Sequence, residues 1–126
     1  MAMVRRKSAG SKVPVLYKIM SRQEWETAQA NGIYEGSGVD QSDGFIHLSA
    51  AHQVRATAQK HFSGKADLLL VSVAEEALSP NLKWEVSRGG DLFPHIYGKL
   101  SLNAVSEVIP LPLVNGAHQF PEGLPS

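Results

Sequence analysis

The stretch Trp84–Tyr97 has the sequence WEVSRGGDLFPHIY. Strand-forming runs at Leu82–Val86 and Phe93–Tyr97 flank Gly89–Gly90, a pattern that predicts a β-hairpin turning about Gly90. The same stretch contains a carboxylate, a guanidinium, an imidazole and a phenol. Because functional residues concentrate on loops held by a rigid scaffold, this mixture indicates a functional site.

The predicted hairpin register places Glu85 opposite His95. Side chains paired across two strands have β-carbons about 5 Å apart. The carboxylate would therefore orient the imidazole and stabilise its protonated form, and Tyr97 would share this face. Pro94 favours an edge or irregular position, because it cannot donate a hydrogen bond within a sheet. The alternation around Trp84 predicts that its side chain belongs to the core.

A second polar stretch, Asp43–Ser49, has the sequence DGFIHLS. A period of two puts Phe45, His47 and Ser49 on one face of a short strand. His47 could act there as a general base or as a ligand donor, although a single histidine is more often satisfied inside the core. Because perturbed groups cluster at functional sites, we predict that His47 and His95 face one cleft.

The stretch Arg88–Gly90 is a candidate anion site. Glycines at Gly89 and Gly90 let the backbone approach a ligand, and the Arg88 guanidinium can bind phosphate or carboxylate through two hydrogen bonds. The same short sequence is also common in exposed turns, and this alternative stays open.

We predict neither a metal site nor a serine nucleophile. His52 and His61 lie nine residues apart on one predicted helix and point to nearly opposite sides, which does not match the spacing of a helical zinc motif. Ser49 lacks a G-x-S-x-G motif. The chain has no cysteine, which excludes disulfides and thiolate chemistry.

Two helices early in the chain and most strands later, without regular βαβ alternation, predict an α+β fold with a largely antiparallel sheet. Ser21 and Glu24 form a capping box that begins the first helix. The remaining predicted elements are the strands Val15–Met20, Phe45–Leu48, Asp67–Val73 and Ala104–Leu111, the helix Ala50–Phe62 capped by Ser49, and the loop Ile33–Ser42.

A length of 126 residues, with 43% hydrophobic and 19% charged residues, predicts a single globular domain. We expect residues 1–13 to be a disordered basic tail, residues 14–114 to form the domain, and residues 115–126 to be a loose tail. The sequence does not specify an oligomeric state.

The formal net charge is zero but unevenly distributed. The first twelve residues contain four bases and no acid, so the rest of the chain carries a charge of −4. An acidic body argues against nucleic-acid binding and leaves a small anionic molecule or a nucleotide as the expected partner. No apolar run approaches the 18 or so residues of a membrane span. The basic start is not followed by the apolar segment of a secretory signal, so we expect a cytoplasmic protein.

Five short motifs, in order, resemble the bacterial family called domain of unknown function 952. They are YKI at Tyr17–Ile19, DGFIHLS at Asp43–Ser49, WE at Trp84–Glu85, SRGG at Ser87–Gly90 and FPHIYG at Phe93–Gly98. The resemblance extends from about Val15 to Leu113. It implies an ADP-ribosyltransferase-like fold, in which NAD is bound in a cleft between two small antiparallel sheets.

The resemblance also implies roles for several residues. FIHLS resembles the second-strand motif of that fold, which places Ser49 and His47 near the cofactor, and Tyr17 of the first motif becomes a ligand-binding candidate. The wider superfamily has a histidine or arginine on its first strand, where this chain has Tyr17–Ile19. In that superfamily the final motif usually supplies a catalytic glutamate, and Glu85 is the acidic residue of this chain that matches it best.

The resulting expectation is an ADP-ribosyltransferase-like enzyme or a binder of NAD or a related phosphorylated nucleotide. His47 and Ser49 would hold the ribose or the nicotinamide amide, and Arg88 the pyrophosphate. Glu85 and His95 would act on an oxocarbenium-like centre.

Two alternatives remain. One is a non-catalytic binding module, in which the same cluster recognises a small anionic metabolite or an acidic segment of a partner. The other is a hydrolase that uses His47 and His95 as acid and base on a phosphodiester, which the acidic body of the protein disfavours.

Overall fold

The computed structural model describes residues 14–78, 80–122 and 124, with only the backbone of Arg88. The basic tail predicted for residues 1–13 lies outside this range. The strands are β1 (Val15–Ser21), β2 (Ile33–Tyr34), β3 (Ile46–His47), β4 (Leu68–Ala74), β5 (Leu82–Val86), β6 (Leu92–Ile96), β7 (Leu100–Ser101), β8 (Val105–Leu111), β9 (Leu113–Val114) and β10 (Ala117–His118). The helices are α1 (Arg22–Asn31), α2 (Gly38–Asp43) and α3 (Val54–His61).

Two three-stranded antiparallel sheets organise the domain, with strand orders β1–β4–β8 and β3–β6–β5. The shorter pairs β2–β7 and β9–β10 are also antiparallel. A bridge between Tyr17 and Ser49 joins the two larger sheets through backbone hydrogen bonds of 2.8 and 2.9 Å. The described chain is thus a single mixed domain with antiparallel sheets and three helices, which confirms the predicted α+β class.

The connection from β1 to α1 forms as predicted. The Ser21 hydroxyl accepts a hydrogen bond from the Glu24 backbone at 3.0 Å, and the Glu24 carboxylate accepts one from the Ser21 backbone at 2.9 Å. Gly32 ends the helix with a φ of 79°, a left-handed conformation that glycine adopts without steric cost. Both ends of α1 are therefore determined by local chemistry.

The strand β4 is central, as predicted, and its side chains are buried on both faces of its sheet. Leu69, Val71 and Val73 belong to one hydrophobic cluster, whereas Leu68 and Leu70 belong to a second one on the opposite face. A strand that is buried on both faces has a nearly continuous apolar sequence, and this is why the sequence predicted β4 as a central strand.

The prediction of a loop at Ile33–Ser42 is wrong, because this segment contains β2 and most of α2. Serine, glycine and aspartate have low helix propensity, so the six residues of α2 gave no helical signal. A local cap and a tertiary contact stabilise this helix instead. The Asp40 carboxylate accepts a hydrogen bond from the Ser37 backbone at the start of the helix at 2.8 Å, and the buried Asp40 side chain pairs with Lys18 of β1 at 2.9 Å.

The start predicted for α3 is also wrong. The helix begins at Val54 rather than at Ala50, and Ser49 does not cap it. The Gln53 side chain instead accepts a hydrogen bond from the Ala50 backbone at 2.9 Å, and the Ser49 hydroxyl pairs with Thr57 at 2.9 Å. The Ser49 hydroxyl is therefore paired with the middle of α3 and not with its first turn.

The predicted hairpin forms from β5 and β6, but in a different register. Lys83 pairs with His95 and Glu85 pairs with Phe93, two residues from the predicted pairing. Because side chains alternate between the faces of a strand, a shift of two residues leaves each one on its predicted face. Glu85 consequently lies diagonally beside His95.

Pro94 lies in the central strand of its sheet, contrary to the expected edge position. Its carbonyl accepts a hydrogen bond from Leu48 on the β3 side at 2.9 Å. The N–H and C=O of a strand residue point to the same side, so the N–H that proline lacks would also have pointed toward the β3 side. It would have faced the chain just after His47, where β3 ends. The sheet therefore needs no donor from Pro94.

The prediction that Trp84 belongs to the core is wrong, since it is 40% exposed. Its strand neighbour Leu82 packs against the core, but Trp84 lies further along the hairpin, where the core no longer covers the sheet. The C-terminal segment also differs from the loose tail expected. Ala117–His118 pairs with β9, and Phe120 packs against a hydrophobic cluster.

Candidate functional site

The structure brings together the two histidines that the sequence singled out. His47 and His95 are cross-strand partners in β3 and β6, and their ring centroids lie 5.2 Å apart with an interplanar angle of 70°. We call the side chains around this pair the histidine cluster. Its members are Phe45, His47, Glu85, His95 and Tyr97.

Glu85 links His95 to Tyr97. Its Oε1 atom lies 2.8 Å from Nδ1 of His95 and accepts a hydrogen bond from the Tyr97 hydroxyl, also at 2.8 Å. The hydrogen bonds from His95 and Tyr97 lower the pKa of Glu85, and the bond to Glu85 raises the pKa of Tyr97. The cluster therefore presents an ionised carboxylate that remains 37% exposed next to a buried imidazole.

Asp40 anchors the second histidine. Its Oδ1 atom lies 2.6 Å from Nδ1 of His47, and its Oδ2 atom lies 2.9 Å from the Lys18 ammonium. Asp43 lies 3.0 Å from the other ring nitrogen of His47. Both nitrogens of this imidazole thus face carboxylates of the protein itself.

The Asp40 carboxylate is held in its ionised form although its side chain is only 1% exposed. Burial by itself would raise its pKa. The Lys18 ammonium acts in the opposite direction, as do the hydrogen bonds from the Ser37 backbone and from His47, and together they lower the pKa of Asp40 below its ordinary value.

We expect acid to destabilise the fold partly through Asp40. A carboxylate whose pKa is lower in the folded chain contributes stability above the unfolded value of about 3.9 and loses it as the pH falls through the folded value. Urea denaturation should show the free energy of unfolding falling below about pH 4, with a smaller fall in Asp40→Asn. The same pH dependence in both proteins would contradict this assignment.

Phe45 covers the cluster. Its ring stacks on His95 with centroids 4.3 Å apart, and lies 4.7 Å from His47 and 5.1 Å from Tyr97. His95 is only 3% exposed, and its Nε2 atom is buried without a hydrogen-bond partner among the described residues. A buried polar atom of this kind costs stability unless a ligand or water pairs with it.

Ser49 and Tyr17 lie beside each other at the bridge between the sheets. The Ser49 side chain is directed at helix α3, where it pairs with Thr57. Burial, and next the nearby Glu107, raise the pKa of Tyr17. The hydrogen bonds of both residues are thus with the protein scaffold rather than with the two histidines.

The turn Arg88–Gly90 is separate from the cluster. Gly89 and Gly90 have φ angles of 70° and 81° and are exposed, as expected for a turn. The last cross-strand pair before this turn is Val86 with Leu92. His95 is three residues further along β6, roughly 10 Å at the spacing of an extended strand. The predicted contribution of this turn to a ligand site therefore remains a prediction.

Two surface hollows lie away from the cluster. One, of about 350 Å³, lies beside α1 and β2 and is lined in part by Glu24 and Tyr34. The other, of about 340 Å³, lies between α3 and β10 and includes Arg55 and Phe120. Within the described ranges no group of three or more metal-binding side chains occurs. No described helix has the length and apolar character that crossing a membrane demands.

Sequence reasoning missed Asp40, Lys18 and Phe45 as parts of the site. A lysine within the apolar strand β1 was the available signal, because a lysine is rarely buried without a partner. Its partner is 22 residues away, so only the tertiary structure identifies the pair. Phe45 was placed on the face of His47, but nothing in the sequence indicated that it stacks on His95.

Comparison with known proteins gives consistent relationships. Residues 19–108 match the family described as "Protein of unknown function (DUF952)". The X-ray structure of protein CC0527 from Caulobacter crescentus is 50% identical, with a TM-score of 0.81 over 83% of this chain and 93% of that chain. The solution NMR structure of CC0527 is 49% identical, with a TM-score of 0.74 over 82% and 90%.

No curated protein matches the chain. The family match nevertheless covers well over half of its residues, and the similarity to CC0527 covers 83% of the chain. The chain therefore belongs to the DUF952 family, as its five sequence motifs suggested.

Proposed function

We propose that the histidine cluster binds NAD or a related phosphorylated nucleotide, and that Glu85 and His95 act at its ribose. The observation that supports this most directly is the meeting of two distant segments in one polar cluster, with His47 and His95 paired beside the Glu85 carboxylate. Titratable groups tied to specific charged partners are typical of active sites.

The architecture supports the same proposal. An ADP-ribosyltransferase-like fold, which we infer for this chain, binds its ligand between two small antiparallel sheets. The chain has two such sheets, which meet where Tyr17 bridges Ser49. His47 lies two residues before that bridge, so the cluster lies close to the junction of the sheets.

The chemistry of the cluster suits the nicotinamide end of NAD. The rings of Phe45 and Tyr97 offer aromatic faces to a cationic pyridinium ring. When the bond from ribose to nicotinamide breaks, its electron pair goes to the nicotinamide nitrogen and positive charge develops on the ribose. Glu85 would stabilise that charge until water or another nucleophile adds.

A second candidate function is non-catalytic recognition of a small molecule. One observation favours it: both ring nitrogens of His47 are within 3.0 Å of the carboxylates of Asp40 or Asp43, so this histidine has no nitrogen free for proton transfer. His95 is also covered by Phe45. Such a cluster would recognise a ligand without transforming it.

Calorimetric titration with NAD, followed by mass spectrometry of the mixture, tests the proposal. We expect NAD to bind, nicotinamide to be released, and His95→Asn to weaken binding by about tenfold or more. His52→Asn is the matched control, because that histidine is exposed and outside the cluster.

Binding without nicotinamide release would favour the recognition module. The absence of both binding heat and released nicotinamide at millimolar NAD would overturn the proposal. Equal losses in the two histidine variants would show that binding occurs elsewhere.

A further inference from the structure

Strand β5 has an exposed outer edge. It is the end strand of the sheet β3–β6–β5, and no strand of the described chain pairs with its outer side. Trp84 and Val86 on this strand are 40% and 69% exposed, and Leu92 beside Val86 is 50% exposed. Natural proteins usually protect such edges, because they can pair with another strand.

The orientation of the outer hydrogen-bonding groups follows from Pro94. Its carbonyl points to the β3 side, so Pro94 and its partner Trp84 form a pair without mutual hydrogen bonds. The N–H and C=O of Trp84 must therefore point away from β6. Because alternate residues along a strand share this orientation, Leu82 and Val86 also direct their backbone groups outward.

We propose that β5 pairs antiparallel with β5 of a second copy of this chain, across a two-fold axis at Trp84. In that arrangement Trp84 faces its counterpart and Leu82 faces Val86 of the other copy. By symmetry Val86 faces Leu82 of the other copy, which makes three pairs. All three consist of residues whose backbone N–H and C=O groups point outward from the edge of β5. The surface is the same on both copies, as a two-fold interface requires.

The charges of Lys83 and Glu85 favour a two-fold axis at Trp84 over an axis at either neighbouring residue. A two-fold axis at Trp84 places Lys83 of each copy opposite Glu85 of the other, at the non-hydrogen-bonded positions where α-carbons approach to about 4.5 Å. An axis at Lys83 or at Glu85 would instead place two like charges opposite each other, which is unfavourable. Of these three possible axes, only the one at Trp84 pairs opposite charges when the sequence LKWEV meets a second copy of itself.

The pairing would also affect the histidine cluster. Glu85 already contacts His95 and Tyr97, and Lys83 lies 5.3 Å from the centre of the Tyr97 ring. Lys83 of the second copy would add an ammonium group beside the Glu85 carboxylate. The interface would thus contribute a residue to the edge of the site, although it does not depend on the function proposed above.

Sedimentation of the full chain over a range of concentrations tests the pairing. We expect the wild type to sediment with twice the mass of one chain, and Lys83→Glu or Glu85→Lys to sediment as single chains. A mixture of these two variants should restore the dimer, because every pair then joins opposite charges. Lys99→Glu, a charge reversal outside β5, serves as the matched control and should remain dimeric.

Hydrogen exchange gives a readout that does not depend on the Glu85 variant folding. The Trp84 and Val86 amides should exchange about tenfold or more slowly at concentrations where the dimer forms. A wild type that sediments as one chain at millimolar concentration would overturn the proposal. A dimer that persists in Lys83→Glu, or one without protection at Trp84, would also overturn it.

Discussion

Replacing Asp40 with alanine is expected to lower the free energy of unfolding by about 3–5 kcal/mol. The Asp40 and Lys18 side chains are 1% and 9% exposed and lie 2.9 Å apart. Removing the carboxylate leaves the ammonium buried without a counter-charge, and it also removes the acceptor for the backbones of Ser37 and His47. Urea denaturation followed by circular dichroism measures the loss.

Asp43→Ala is the matched control for this measurement. Asp43 also contacts His47, at 3.0 Å, but its side chain is 46% exposed. A solvent-screened pair contributes about 1 kcal/mol or less. Similar losses in the two variants would show that burial of Asp40 does not determine its contribution.

A double variant separates the unpaired charge from the lost hydrogen bonds. Lys18→Met combined with Asp40→Ala removes both members of the ion pair, so it should be more stable than Asp40→Ala alone. A double variant less stable than the single one would contradict the view that the stranded ammonium dominates the loss.

The second large effect is expected at Glu85, and it depends on the proposed enzymatic function. Glu85→Gln keeps the size of the side chain and an oxygen that can accept from His95 or Tyr97, but it removes the negative charge. If the carboxylate stabilises charge on the ribose, kcat for nicotinamide release should fall by about 100- to 1,000-fold. The Kd for NAD should change far less.

Glu35→Gln is the control for Glu85→Gln. Its carboxylate is 56% exposed and pairs only loosely with Lys99, at 3.6 Å, so turnover should stay at the wild-type value. Turnover retained in Glu85→Gln would exclude this carboxylate from the chemistry. A Kd that rises together with a fall in kcat would instead assign it to binding.

The hairpin shows how a partly wrong prediction can still identify a contact. The register was wrong by two residues, yet Glu85 and His95 meet at 2.8 Å. The alternation of side chains survives any even shift, whereas a shift of one residue would have placed Glu85 on the opposite face. The face of a residue is thus easier to predict than its exact partner.

Exposure was less predictable than strand position. The strand that carries Trp84 was predicted correctly, but the alternation of its residues could not show whether the core extends far enough to cover that side chain. Coverage depends on which elements pack against the sheet, and that is a property of the whole fold.

The sequence by itself determined the features that depend on neighbouring residues. These include the capping box at Ser21, the apolar central strand β4, and the concentration of polar side chains around His47 and His95. Such features need only the spacing of residues along one segment, because their interactions extend over a few positions.

Only the tertiary structure decided which distant groups meet. Lys18 finds Asp40 across 22 residues, and Phe45 stacks on His95 across 50. Nothing in the local spacing encodes these contacts, because they exist only once strands from separate segments pair and bury them together. The charges of Lys18 and Asp40 are tolerated in the interior for the same reason: each has the other as its partner.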